Sequence, residues 1–238
     1  MKNKEYLKEA EKVAVEVGQY LLKEQATLSA KEAKVGRDIK IEADKWADQR
    51  IRECLGVFNY PIYSEEREGN WDFNGYYWVV DPLDGSYNYH AGIPFCAVSI
   101  ALWKDNEPLL GVIYHIHGGN MFSALKDIGL YHNGKKVTRS RVLSEFDILC
   151  TGIPVGMLLN DSTLGQFVRN IKEYKKIRMM GSASLMLAYV AMGKASAYSE
   201  KGIMLWDVAA GIALCKEAGL NVKSETVEGL KLNVSVTS

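Results

Sequence analysis

Trp78-Val79-Val80-Asp81-Pro82-Leu83-Asp84-Gly85-Ser86 decides how this chain is read, because an apolar strand runs straight into two carboxylates set around a proline and followed by glycine. Val79 and Val80 place the strand in the core, so Asp81 falls at its end. Pro82 fixes the turn, which brings Asp84 back toward the same point and can aim the Leu83 carbonyl inward. Two carboxylates and a carbonyl that converge in this way make a hard oxygen site suited to Mg²⁺. Gly85 and Ser86 then offer backbone N–H groups at the start of a short helix, and such groups bind phosphate oxygens. The same letters also describe an ordinary turn, in which the aspartates cap backbone N–H groups and hold nothing.

Other acids bear on that choice. Ser64-Glu65-Glu66 follows the short apolar run Pro61 to Tyr63, which sets Glu65 at a strand end where a carboxylate can point into a cleft. Read alone, the two glutamates are a solvated pair of charges. Further on, Leu205-Trp206-Asp207-Val208-Ala209-Ala210-Gly211 opens a helix whose small residues allow close backbone approach. Asp207 there is either an N-cap, worth about 1 kcal/mol, or a side chain that reaches a metal while the helix start lends partial positive charge to a bound phosphate.

Around these segments the chain alternates in type. Leu7, Ala10, Val13, Ala14, Val17 and Leu21 form the apolar stripe of a surface helix, and Ala43, Trp46, Ala47, Ile51, Cys54 and Leu55 repeat it. Ile62 to Trp103 reads as strands and turns, and Leu109 to Ile116, Met121 to Leu125 and Leu130 to the Asn133-Gly134 hairpin turn continue as a meander. The second half predicts a strand at Ile148 to Thr151, helices at Leu164 to Ile171 and Ser184 to Met192, and a strand at Ala195 to Tyr198. A helix from Asp207 to Ala218 and a closing strand from Leu232 to Thr237 complete it. Helices in layers on sheets are the expected α+β result. A boundary near residue 140 divides the chain into sub-domains 1–140 and 141–238 of one compact unit, and a cleft between layers is a usual place for a ligand.

The bulk numbers narrow the class. The 238 residues carry 29 basic and 29 acidic side chains, so no nucleic-acid or membrane surface acting through overall charge is expected. No run approaches the roughly 18 to 20 apolar residues that span a bilayer, and Met1-Lys2-Asn3-Lys4-Glu5 has no apolar signal core behind it. A soluble, cytoplasmic protein is the expectation. Cys54, Cys96, Cys150 and Cys215 are scattered without a C-x-x-C pair, which reads as reduced, buried thiols.

Ser64-Glu65-Glu66, the run Trp78 to Ser86 followed by Asn88, and Trp206 to Gly211 together resemble the three signature motifs of the inositol monophosphatase family, in its order and at about its spacing. The resemblance runs from the Asp38–Asp44 segment through Gly219. It implies a layered α/β/α/β/α sandwich, a homodimer, and two or three Mg²⁺ ions in a cleft. Carried over position by position, Glu65, Asp81, the Leu83 carbonyl, Asp84 and Asp207 are the metal ligands. Gly85 and Ser86 match the phosphate-binding turn, with Ser86 where the family usually has threonine, and Asp44 matches the aspartate that accepts a hydrogen bond from that hydroxyl. The implied activity is hydrolysis of a small phosphate monoester, inositol 1-phosphate first, by in-line attack of a metal-activated water that Glu65 and the Ser86–Asp44 pair orient and deprotonate. Sensitivity to Li⁺ is implied as well.

Substrate choice is less defined. Glu200, in Tyr198-Ser199-Glu200-Lys201-Gly202, resembles a family glutamate that hydrogen-bonds sugar or inositol hydroxyls, and it is otherwise part of a solvated Glu-Lys turn. Arg178 matches a position often basic in the family, open to a second phosphate, a partner subunit or a plain structural role. Fructose 1,6-bisphosphate and 3′-phosphoadenosine 5′-phosphate are alternative substrates, with Arg139, Lys175, Lys176, Arg178 and Lys201 as cations for a second phosphate. A catalytically idle binding scaffold is the alternative of another class, and the complete acidic set argues against it. Two departures from the family stand out: Lys40-Ile41 precedes the Asp44 segment where the family often has threonine, and the sequence ends without the final helix many members carry.

Overall fold

A computed structural model describes residues 2–28, 31–35, 38–67, 69, 71–138, 147–153 and 160–237, the side chains of 31–41 aside. Arg139, the side chains of Lys40 and Ile41, and the boundary expected near residue 140 therefore lie outside the described residues.

Helix α1 (Lys2–Leu28) turns its predicted stripe inward, with Ala10, Val13, Ala14, Val17 and Leu21 buried and Leu7 half-buried, and adds Tyr6 to the buried set. A hairpin of β1 (Lys31–Val35) and β2 (Asp38–Ile41) leads into α2 (Glu42–Leu55), which buries Ala43, Ala47, Ile51 and Leu55. Next come β3 (Ile62–Ser64), β4 (Tyr76–Asp84), the short helix α3 (Ser86–Ala91), β5 (Ala97–Lys104), β6 (Glu107–His115), β7 (Asn120–Leu125), β8 (Gly129–His132) and β9 (Lys135–Lys136). The seven strands form one sheet in sequence order, antiparallel apart from the parallel β3–β4 pair. Asn133 and Gly134 make the expected β8–β9 turn, both with positive φ.

The second half supplies β10 (Ile148–Thr151), α4 (Asp161–Ile171), β11 (Lys176–Arg178), α5 (Ala183–Ala191), β12 (Ala197–Met204), α6 (Leu205–Glu217), β13 (Asn221–Glu228) and β14 (Lys231–Thr237). Its sheet runs β11-β10-β12-β14-β13. The layers follow from the period of two in the large sheet. Trp78, Val80, Val98 and Ile100 face α1 and α2, whereas Tyr77, Val79, Ala97 and Ala101 face α5, α6 and the second sheet. Strands buried on both faces explain the near-continuous apolar runs of β4 and β5. Helix α4 lies over β10 and β12 as the outermost layer, completing the expected α/β/α/β/α order. Among the described residues no helix is long and apolar enough to cross a membrane, and all four cysteines are free.

The structure corrects several local expectations. Strand β4 does not stop at Asp81: it continues through Asp84, with a bulge where Asp81 and Asp84 pair with Ser99 and Ala97. Pro82 has no N–H for the ladder, so the extra residue of a bulge is where a strand can carry it. Strand β12 likewise runs past Tyr198 to Met204, which makes Glu200 a strand residue and removes the turn reading. The β1–β2 hairpin, β11 and β13 were not expected from the sequence.

The two large units meet where α6 crosses β6. A Cβ on Gly111 would lie 2.4 Å from the Ala210 carbonyl oxygen and 2.9 Å from its Cα, so only glycine permits this approach. Gly111→Ala is expected to lower stability by about 2–3 kcal/mol, read from chemical denaturation, because backbone atoms rather than a mobile side chain must give way. A melt unchanged from the wild type would show that the helix can slide off the sheet at no cost.

Candidate active site

The bulge at the end of β4 buries both of its acids, Asp81 at 1% and Asp84 at 6% exposure. The Leu83 N–H donates to Asp81 Oδ1 at 3.0 Å, which locks the chain into its tight course after Pro82. Glu65 follows β3, whose parallel pairing with β4 sets Ser64 opposite Val80, one residue before Asp81. Asp207 enters from the far side as the third residue of α6. It is not the N-cap, a place held by Met204 without a side-chain bond.

Oxygen atoms of Glu65, Asp81 and Asp207 all lie within 4.8 Å of one another. Burial pushes the carboxyls of Asp81 and Asp207 well above the usual range, and the charges of Glu65 and Asp84 push them further. Such a cluster is poorly placed to hold three negative charges by itself. Oxygen-only donors, confined and mutually repelling, fit a hard divalent cation that would restore their ionised form. Asp84 stands beside this trio and not within it. Its Oδ2 accepts from the Ser182 hydroxyl at 2.6 Å and the Ser184 N–H at 2.8 Å, while burial raises its pKa against those bonds.

Gly85 sits at φ 85° as the residue before α3, and its Cβ would come within 2.9 Å of the Gly181 carbonyl and 3.0 Å of that of Phe95. Left-handed backbone and lack of space both demand glycine. Ser86 is the first residue of α3, half-buried. Asp44 lies in the first turn of α2, 5% exposed, close enough for its charge to add to the burial that raises the Tyr89 hydroxyl of α3. Asn88, noted in the sequence motif, donates through Nδ2 to the carbonyls of Phe95 and Met180, both at 2.8 Å, and so ties α3 to the approach of α5.

These elements border a cleft of about 660 Å³ lined by Glu65, Asp84, Gly152, Ser182, Glu200, Asp207 and Lys231, among others. Glu200 is 7% exposed, and its carboxyl is pushed up to about 7, mainly by burial and also by the charge of Asp84. The structure does not bring Arg178 here. That side chain opens onto a separate hollow of about 460 Å³ bounded by Phe122, Tyr189 and Met192. Lys201 borders another hollow of about 230 Å³, on the α4 side of Glu200. Sequence reasoning passed over Ser182, Ser184, Gly152, Tyr198 and Lys231. Only Ser182 carried a signal, a serine directly before an apolar helix, and it does cap α5 by accepting from the Leu185 N–H.

Five alternating layers bring these acids together at the junction of two sheets, and comparison with known proteins says to which class such a fold belongs. Residues 2–235 match the inositol monophosphatase family. An inositol-1-monophosphatase of Mesorhizobium japonicum is 39% identical over 192 residues, 76% of this chain and 70% of that protein. A fructose-1,6-bisphosphatase/inositol-1-monophosphatase of Aquifex aeolicus is 31% identical over 226 residues, 91% and 84% of the two chains. Among solved structures, an IMPase of Thermotoga maritima superposes with a TM-score of 0.81 at 27% identity, covering 98% of this chain and 92% of that one. The chain belongs to the inositol monophosphatase family, and its fold and activity class, a phosphomonoesterase, are those of the family.

Proposed function

We propose that the chain hydrolyses the phosphate ester of a small polyol, inositol 1-phosphate before others, with Mg²⁺ at Glu65, Asp81 and Asp207. The convergence of those three carboxylates, of which Glu65 and Asp207 line a cleft that Glu200 also borders, carries the reading. Two or three Mg²⁺ ions, with the free face of Asp84 and the Leu83 carbonyl as further ligands, would supply an acidified water and a counter-charge for the leaving oxygen. The protein's own groups do the rest. Glu65 orients the attacking water in line with the scissile bond. Ser86 Oγ takes a proton from that water as it passes its own to Asp44, and the Gly85 and Ser86 N–H groups hold the phosphate. Glu200 accepts hydroxyl protons from the polyol.

A bisphosphate such as fructose 1,6-bisphosphate is the second reading, favoured by Lys231 on the cleft and by the dual name of the Aquifex relative. Arg178, away from the cleft, fits a contact in a homodimer better than a substrate phosphate. Phosphate release from inositol 1-phosphate, fructose 1,6-bisphosphate and 3′-phosphoadenosine 5′-phosphate, with and without Mg²⁺ and Li⁺, tests these statements. The expected result is Mg²⁺-dependent, Li⁺-inhibited release, fastest with inositol 1-phosphate. Release that ignores Mg²⁺ would remove the metal reading, and faster turnover of the bisphosphate would promote the second one.

A further inference from the structure

The carboxylate of Glu200 is held from two sides by residues the catalytic scheme does not use. Tyr198 and Glu200 are two apart on β12 and so share a face. Tyr198 is fully buried, and its hydroxyl donates to Glu200 Oε2 at 2.8 Å. The other oxygen, Oε1, has no hydrogen-bond partner among the described residues. Opposite, Thr151 of β10 pairs with Ser199 and donates its hydroxyl to the Ser199 carbonyl at 2.6 Å, which fixes the next residue, Gly152, against Glu200. A Cβ on Gly152 would meet Oε2 at 2.7 Å, Oε1 at 2.8 Å and Cδ at 2.9 Å, and these are its three nearest neighbours. Gly152 is not among the glycines with positive φ, so its backbone does not require glycine. The space a side chain would take there is occupied by the Glu200 carboxylate.

From this geometry we propose that Gly152 and Tyr198 are positioning residues that clamp the Glu200 carboxylate, turning Oε1 to the substrate, and so set the preference for polyol phosphates over esters without hydroxyls. The inference rests on the reading of Glu200 as the acceptor of substrate hydroxyls. Tyr198 occupies one oxygen and leaves the second for a ligand. A carboxylate free to rotate would lose part of the hydrogen-bond energy to ordering, and one displaced by a methyl group would miss the hydroxyl altogether.

The test compares wild type, Gly152→Ala, Tyr198→Phe, Glu200→Ala and the doubles Gly152→Ala/Glu200→Ala and Tyr198→Phe/Glu200→Ala. The readings are kcat/KM for inositol 1-phosphate and for 4-nitrophenyl phosphate in Mg²⁺, together with Tm. Each clamp variant is expected to lower the ratio of the two kcat/KM values by roughly tenfold, the scale of one charged hydrogen bond. In the Glu200→Ala background neither should lower it further, because contacts that act through one group are not additive. Gly152→Ala should lower Tm when Glu200 is present and leave it unmoved when the carboxylate is gone. Should Gly152→Ala not fold, the double is expected to fold, and failure of both would overturn the clamp. An unmoved ratio in both clamp variants, with a collapsed one in Glu200→Ala, would overturn the clamp and leave the role of Glu200 standing. Equal losses with and without Glu200 would reduce both residues to structural ones. An unmoved ratio in Glu200→Ala would end the reading of Glu200, and the clamp with it.

Discussion

Asp81→Asn is expected to cost at least roughly 10³-fold in kcat/KM while making the metal-free protein more stable. Asp81 is the most enclosed member of the acidic trio and receives the charges of Glu65, Asp84 and Asp207 at once. Removing one charge relieves that repulsion and takes away a ligand in the same stroke. The pH dependence carries the sign. Asp81, Asp207 and Glu200 all have pKa values raised on folding, so at these sites the folded chain binds more protons than the unfolded one, and their contribution to stability falls as pH rises. For Glu200, displaced from 4.5 to about 7, the benefit is full below 4.5 and gone above about 7, a difference of roughly 3 kcal/mol. Melts in a chelator should therefore decline as pH rises from about 4.5 to 7 in the wild type, and more gently in Asp81→Asn. Saturating Mg²⁺ should reverse the slope in the wild type, since binding needs the deprotonated acids. Wild-type rates in Asp81→Asn would sink the assignment of the metal centre.

Ser86→Ala should lower kcat by roughly 10² to 10⁴, the usual cost of a lost proton-transfer group, with little change in KM. Its backbone N–H stays in place at the start of α3, so phosphate binding is kept and only the hydroxyl is missing. Ser86→Thr should retain most activity, because Ser86 is half-buried and the added methyl asks only for a small adjustment. Steady-state kinetics with inositol 1-phosphate separate the two. If alanine and threonine variants behaved alike, the hydroxyl would have no part in the reaction, and activation of the water would fall to Glu65.

The trio was legible because each acid is announced locally: Asp81 by the apolar run before it and Pro82 after it, Glu65 by a strand end, Asp207 by a helix start. The layers were legible because α1 and α2 carry clear stripes and β4 and β5 are apolar throughout. What the sequence withheld has physical reasons. Lys31-Glu32-Ala33-Lys34-Val35 has none of the alternation of a half-buried strand. Strand β13 is an edge strand whose residues are almost all exposed, so backbone pairing with β14 holds it and leaves no apolar pattern to read. Family resemblance apart, the residues around Glu200 allowed a polar turn because Lys201 and Gly202 follow it, yet β14 continues to pair beside it and carries it into the core. The bond from Ser182 to Asp84 joins residues 98 apart, and no local rule foresees a partner at that distance. Gly152 was silent for a simpler reason: what matters there is the absence of an atom, which shows only once Glu200 is in position.

Asn88 reaches across 92 residues to the Met180 carbonyl, and Ser182 answers across 98 to Asp84. During synthesis the Gly85-Ser86 turn and two of the three trio acids leave the ribosome long before their counterparts exist. A nascent chain ending before β11 holds Glu65, Asp81 and Ser86 but has neither Asp207 nor the two stitches that fasten the turn. Closing such long loops is slow compared with local helix formation, so the cleft is among the last features to assemble. The acidic trio is thus complete only once α6 has been made, and a translation product that stops short of it carries the Asp81–Ser86 motif without its Asp207 counterpart.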